Sequence, residues 1–176
     1  LVSYVAALAA IVALAIDLDR DAPPRAGAPP WSAPEVALVL ALAALALGLR
    51  LWRLATLPGV IWDDEILYLH DAIVVPADAG PPSPFASGTW GAPYLHAYLI
   101  AASSWLIDDR VVALRLVSAI PGALTVPFLY LALRELFDRR VAFFGAVLLA
   151  LSCWAILLSR HGYVWAVNGF AEAVVL

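Results

Sequence analysis

Three apolar runs, residues 36–52, 111–133 and 141–158, constrain this chain more than anything else in it. Each is close to the roughly 20 residues that an α-helix needs to cross the hydrocarbon of a bilayer. Inside a bilayer every backbone N–H and C=O must be bonded within the segment, so such runs are helical. The chain is 64% hydrophobic and 14% charged, whereas a soluble domain carries about 25% charged residues. An all-α, polytopic transmembrane bundle in a cell membrane follows, and a soluble enzyme is excluded. A further apolar run, 1–16, falls slightly short and reads as an extra N-terminal helix, the tail of a span. A cleaved signal peptide fits less well, because no basic segment precedes the run and no small-residue cleavage site closes it. Residues 17–35 read as a proline-rich linker. With Leu1 at one end and Leu176 inside an apolar stretch at the other, residues 36–176 read as the first part of a domain truncated at its C-terminus.

Charge placement sets the expected topology. The net charge of −4 is spread over the loops, which excludes a basic nucleic-acid-binding surface. Arg134, Arg139 and Arg140 flank the short turn between the second and third runs, so that turn is expected on the cytoplasmic side. The same reasoning puts Arg115 and Arg160 at the outer surface. The long connection 54–110 reaches that surface only if residues 91–107 do not cross. Their short length, with His96, Ser103 and Ser104 among them, predicts a juxtamembrane helix. Arg50 and Arg53 are expected to snorkel from the far end of the first run. Pro121-Gly122 and Pro127 are expected to kink the second. Cys153 lies in an apolar run and offers neither a disulfide nor a metal site. The tryptophans, most of them near run ends, fit an interfacial belt; Trp62 and Trp90 also stand close to the acids.

Against this background one polar stretch stands out: Pro58-Gly59-Val60-Ile61-Trp62-Asp63-Asp64-Glu65-Ile66-Leu67-Tyr68-Leu69-His70-Asp71. Pro58-Gly59 marks a turn. Asp63 is the expected N-cap of a short helix, with Asp64 and Glu65 in its first turn. Asp64, Tyr68 and Asp71 then share one face. Acids in a first turn suit the helix dipole and commonly do nothing else. A charged cluster beside a bilayer is costly, however, and points to a task.

The order of features resembles the N-terminal part of membrane glycosyltransferases of the GT-C fold. Within these it is similar to the branch holding protein O-mannosyltransferases and the lipid A aminoarabinose transferase. The residues that carry the likeness are Asp64-Glu65-Ile66-Leu67-Tyr68, Ala92-Pro93-Tyr94-Leu95-His96-Ala97-Tyr98, Arg115-Leu116-Val117-Ser118-Ala119, Leu136-Phe137-Asp138-Arg139-Arg140 and Leu158-Ser159-Arg160. The resemblance runs from about residue 36 to 176 and leaves 1–35 uncovered. Two departures stand against it. Gly91-Ala92 precede Pro93 where many relatives have a histidine or lysine, and no second acid follows Ser159-Arg160 closely. The second departure weakens a metal held between two carboxylates, so a divalent metal is left open on weak support.

The resemblance implies inverting transfer of a sugar from a polyprenyl-phosphate donor to a protein, lipid or glycan acceptor on the extracytoplasmic face of a bacterial inner or plasma membrane. Such a reaction needs a carboxylate to take the acceptor proton and cations where charge grows on the departing phosphate. Asp64 is the expected base, with Glu65 as an acid that supports it from behind or orients the acceptor. Tyr68 is expected to bond a substrate hydroxyl or hold Asp64. Arg115 and Arg160 are the expected phosphate ligands, since a guanidinium binds phosphate oxygens in pairs. In simpler terms Arg115 would pair with Asp108 or Asp109 and Arg160 would snorkel. His70, His96 and His161 share no metal-ligand spacing and are expected at the surface or an interface. The rival function is a transporter or flippase of lipid-linked sugars, which needs ionisable groups near the midplane of its spans. A structural subunit with an acidic docking loop would leave the acids and arginines on one side unexplained.

Overall fold

The computed structural model describes residues 30–74, 83–88, 91 and 93–175. The expected N-terminal helix, most of the linker after it, the proline-rich stretch 76–82 and Trp90 lie outside the described residues. The described chain is helical: α1 (Ala33–Leu51), α2 (Asp63–Val74), α3 (Tyr94–Leu106), α4 (Arg110–Leu136), α5 (Arg139–Leu151), α6 (Cys153–Arg160) and α7 (Val164–Val175). Its one β-bridge joins Ser87 to Pro93. α1 and α4 are long and apolar enough to cross a membrane, and α5 with α6 passes the same test as a pair bent by 53°. α3 has 13 residues, about 20 Å at 1.5 Å per residue, and falls short of the hydrocarbon thickness.

Local chemistry sets each boundary. α1 starts at Ala33, three residues before the expected run, because Ser32 caps it by accepting from Glu35 N at 3.4 Å, and Pro34 suits a first turn. Glu35 thus belongs to the span rather than to the linker. Asp109 caps α4 by accepting from Val111 N and Val112 N at 2.9 and 3.1 Å. Asp138 does the same for α5 with Arg140 N and Val141 N at 2.7 and 2.9 Å. Those two bonds hold the Asp138 carboxyl below its ordinary range. α4 runs unbroken through Pro121 and Pro127. The third run, by contrast, is not one helix: Ser152 ends α5 and caps α6 by accepting from Ala155 N at 3.3 Å.

α4 is the axis of the bundle, and every other helix packs against it. On α5 the fully buried residues are Ala142, Ala146 and Ala150, at a spacing of four, so one seam of small side chains faces α1 and α4. Such seams let membrane helices approach closely. One end of this bundle is locked by charge. Glu35 Oε1 accepts from Arg134 Nε at 2.6 Å and from the Tyr130 hydroxyl at 3.0 Å, and Arg139 reaches Glu35 Oε2 at 3.0 Å. The Arg134 guanidinium also lies 4.2 Å from the Trp31 ring. These contacts tie the start of α1 to the α4–α5 turn.

The close approach of α4 to α6 depends on Gly122. A Cβ there would lie 2.6 Å from Ser159 Cβ and 2.9 Å from Ser159 Oγ. Gly122→Ala is therefore expected to destabilise the protein by about 1–3 kcal/mol through overpacking. Gly48→Ala, with nothing within 4 Å of its Cβ, should not lower stability. Thermal unfolding of both variants in detergent measures the difference, and equal midpoints would refute the close packing.

Candidate active site

At the end of the bundle opposite Glu35, the ends of α1, α4 and α6 meet the start of α2. Ile66 N donates to Trp62 O at 3.2 Å, so the cap of α2 is Trp62 and not Asp63. Glu65 then stands three residues into the helix, and its Oε2 accepts from Trp62 N at 3.0 Å, the returning half of a capping box. The same carboxylate is fully buried and paired with Arg115. Arg115 Nε reaches Glu65 Oε1 at 2.9 Å and Nη2 reaches Oε2 at 3.5 Å. Its remaining bonds go to Leu54 O at 3.0 Å and Val60 O at 3.3 Å. The partner of Arg115 is thus Glu65, across 50 residues, and neither Asp108 nor Asp109.

Arg160 acts on the same connection. Nη1 donates to Leu49 O and Arg50 O at 2.7 and 3.2 Å, and Nη2 to Trp52 O and Leu57 O at 2.6 and 2.9 Å. Leu49 and Arg50 lie in the last turn of α1, whose carbonyls lack helical partners. One guanidinium from α6 therefore caps α1 and holds the 52–57 segment. Arg50 does not snorkel: it is buried, with Nε on Ser159 Oγ at 3.1 Å and Nη1 on Ala46 O at 3.1 Å. Arg53 is exposed, as a snorkelling residue would be.

The structure brings together Glu65, Arg115, Arg160, Tyr68 and the two histidines His96 and His161. Both histidines are buried within the bundle, in contrast to the expected placement at the surface or an interface, while His70 is exposed. His161 Nδ1 lies 3.4 Å from Glu65 Oε2, and its ring meets Trp62 and Tyr163 at 5.7 and 5.8 Å between centroids. His96 Nε2 lies 3.0 Å from Gly162 O, and its ring stands at 84° to Tyr68 with centroids 5.1 Å apart. Gly162 occupies φ +68, which favours glycine, and a Cβ there would also meet Leu114 Cγ at 2.7 Å.

Asp64 differs from its neighbour. It is half-buried, and its carboxylate makes no hydrogen bond or ion pair among the described residues. Tyr68 shares its face, as the spacing predicts, but is buried. Burial first, then the charge of Asp64, pushes the Tyr68 phenol up, with smaller contributions from Tyr163 and Asp71. Tyr163 is pushed up in the same way by burial, Asp64 and Glu65. Both phenols therefore remain protonated donors beside an ionisable acceptor at neutral pH. Tyr163 and His96 are not among the site residues expected from the sequence. For Tyr163 a signal existed in its position just past Ser159-Arg160; for His96 there was none beyond its place on a short apolar helix. Among the described residues no group of three His, Cys, Asp or Glu side chains could hold a metal ion.

Burial holds the His96 imidazole below its ordinary value, against the opposing effect of its bond to Gly162. A depressed folded-state value means that the unfolded chain binds more protons at mildly acid pH. The stability that His96 contributes is complete above the ordinary histidine value of about 6.5 and is lost as pH falls below it. Wild-type protein is expected to lose thermal stability more steeply than His96→Gln as pH falls below about 6.5, and parallel pH profiles would refute this.

No curated protein and no solved structure matches the chain. Residues 91–167 match the family described as Dolichyl-phosphate-mannose-protein mannosyltransferase. The matched stretch holds α3 to α6 and the 161–163 turn, and with them His96, Arg115, Arg160 and Tyr163; Asp64, Glu65 and Tyr68 precede it. The likeness drawn from the sequence motifs is thereby borne out over residues 91–167, the stretch that matches the dolichyl-phosphate-mannose-protein mannosyltransferase family, which is of the GT-C type.

Proposed function

We propose that this protein transfers a sugar from a polyprenyl-phosphate donor to an acceptor hydroxyl on the extracytoplasmic face, with inversion and with Asp64 as base. The family supplies the donor class; the contrast between Asp64 and Glu65 carries the residue assignment. Two adjacent carboxylates have opposite settings. Glu65 is buried and bonded to Arg115 and Trp62 N, so it orients the helix start. Asp64 is half-buried, and its carboxylate holds no protein group among the described residues.

In the reaction the acceptor oxygen forms a bond to the anomeric carbon while its proton passes to Asp64. The bond from that carbon to the phosphate oxygen breaks, and its electron pair leaves with the lipid phosphate. Tyr68 and Tyr163 offer hydroxyl donors beside Asp64. Arg115 and Arg160 hold the 52–62 connection in place through its carbonyls. Their positive charge favours a leaving phosphate nearby through the field alone. Most of their N–H groups are already engaged, those of Arg115 by Glu65, Leu54 O and Val60 O and those of Arg160 by Leu49 O, Arg50 O, Trp52 O and Leu57 O. The acceptor is of the protein, lipid or glycan class.

Transport of lipid-linked sugars is the competing reading. The buried charges of the spans stand near helix ends, Glu35 and Arg50 on α1, Arg115 and Arg134 on α4, and Arg160 on α6. No observation places one at a midplane, where carriage would need it. Transfer of radiolabelled mannose from dolichyl-phosphate mannose in membranes holding the full-length protein tests the proposal. Wild-type transfer that Asp64→Asn abolishes supports it, and equal transfer by both removes Asp64 as base.

A further inference from the structure

His96 has a second ring nitrogen that no described residue uses. Gly162 O can only accept, so His96 Nε2 carries the proton of that bond, 3.0 Å long. The tautomer is thereby fixed, and Nδ1 is left with a lone pair. Nδ1 is buried and has no hydrogen-bond partner among the described residues, and the whole residue is 3% exposed. A buried acceptor without a donor is rare in folded proteins and asks for an explanation. Its surroundings belong to the site. Tyr68 stands edge-on to the imidazole, Gly162 is one residue from His161 and Tyr163, and His161 touches Glu65. The Tyr68 phenol makes no hydrogen bond among the described residues, so the ring beside His96 is not tethered at its tip.

Resting on the transferase reading above, we infer that His96 Nδ1 accepts a hydrogen bond from a hydroxyl of the bound substrate, which enters beside His96 as the Tyr68 ring turns aside. His96 then works with both nitrogens. Nε2–H holds the 161–163 turn, and Nδ1 reads a hydroxyl next to Asp64. Sugar and acceptor hydroxyls share this chemistry, and the two arms of the test separate them.

His96→Gln retains a donor at about the distance of Nε2 and removes the acceptor at Nδ1. In detergent, the full-length variant should keep wild-type thermal stability at pH 8. In one arm, binding of dolichyl-phosphate mannose and of dolichyl phosphate is compared. If the hydroxyl is on the sugar, the variant loses about fivefold to tenfold in affinity for the mannose-bearing lipid only. In the other arm the half-saturating concentration of a serine-rich peptide is measured at saturating donor. If the hydroxyl is the acceptor's, it rises by a similar factor. Wild-type values in both arms overturn the inference while leaving the transferase reading intact. A wild-type protein that neither binds nor uses the donor overturns both. Should His96→Gln unfold, the 15N resonance of Nδ1 in the wild type decides: a shift on adding donor or peptide supports the inference, and an unmoved resonance overturns it.

Discussion

Arg115→Ala is expected to destabilise the protein by about 3–5 kcal/mol, because it leaves the Glu65 carboxylate buried without a cation. Glu65 is 0% exposed and Arg115 1%, so water cannot replace the lost bonds without opening the site. The carbonyls of Leu54 and Val60 lose their donor in the same step. Arg115→Lys should recover only part of the loss. An ammonium restores the charge but cannot reach Glu65, Leu54 and Val60 with the fixed fork of a guanidinium. The double variant Arg115→Met with Glu65→Leu should be more stable than Arg115→Ala, since removing both charges removes the unpaired one. Denaturant unfolding in detergent micelles gives the three values. Wild-type stability in Arg115→Ala would show that the pair holds nothing.

This pair also shows what the sequence could and could not convey. Runs of 17 to 23 apolar residues are local signals of membrane helices, and they were legible because a bilayer admits so few alternatives. That Asp64, Arg115 and Arg160 would stand at the end of the bundle opposite the turn flanked by Arg134 and Arg139 was legible too, from the one run that separates them. Which atoms meet was not. Arg115 finds Glu65 across 50 residues and Arg160 finds Leu57 O across 103. Both choices follow from the path of the 52–62 connection, which no periodicity records. Arginines that looked ready for phosphate are engaged by carbonyls for the same reason. The histidines mislead in the other direction. A lone histidine on a short helix gives no sign of burial, yet His96 packs on Tyr68 and His161 reaches Glu65. The break at Ser152 was foreshadowed only by a single serine within an apolar run. There the hydroxyl of Ser152 bonds Ala155 N and starts a new helix at an angle of 53°.

Asp64→Asn is expected to lower sugar transfer by about 10²–10⁴-fold, the usual contribution of a positioned general base, equivalent to about 2.7–5.5 kcal/mol of transition-state stabilisation. Asparagine has the size of aspartate and leaves the backbone of α2 unchanged, but its amide does not take a proton at neutral pH. Since the Asp64 carboxylate holds no protein group among the described residues, stability should change by less than about 0.5 kcal/mol. Asp63→Asn is the matched control: it removes one negative charge from the same helix start at an exposed position and should keep most of the activity. Glu65→Gln should separate from both. It weakens the Arg115 bonds and the cap on Trp62 N, so stability falls along with activity. The kinetic pattern carries the decision. If Asp64 acts only in the transition state, kcat and kcat/KM fall together while KM for the lipid donor is unchanged. A raised KM with normal kcat would make Asp64 a binding group and leave the base to be found elsewhere. Loss of activity in Asp63→Asn equal to that in Asp64→Asn would reduce both acids to a shared field effect at the helix start.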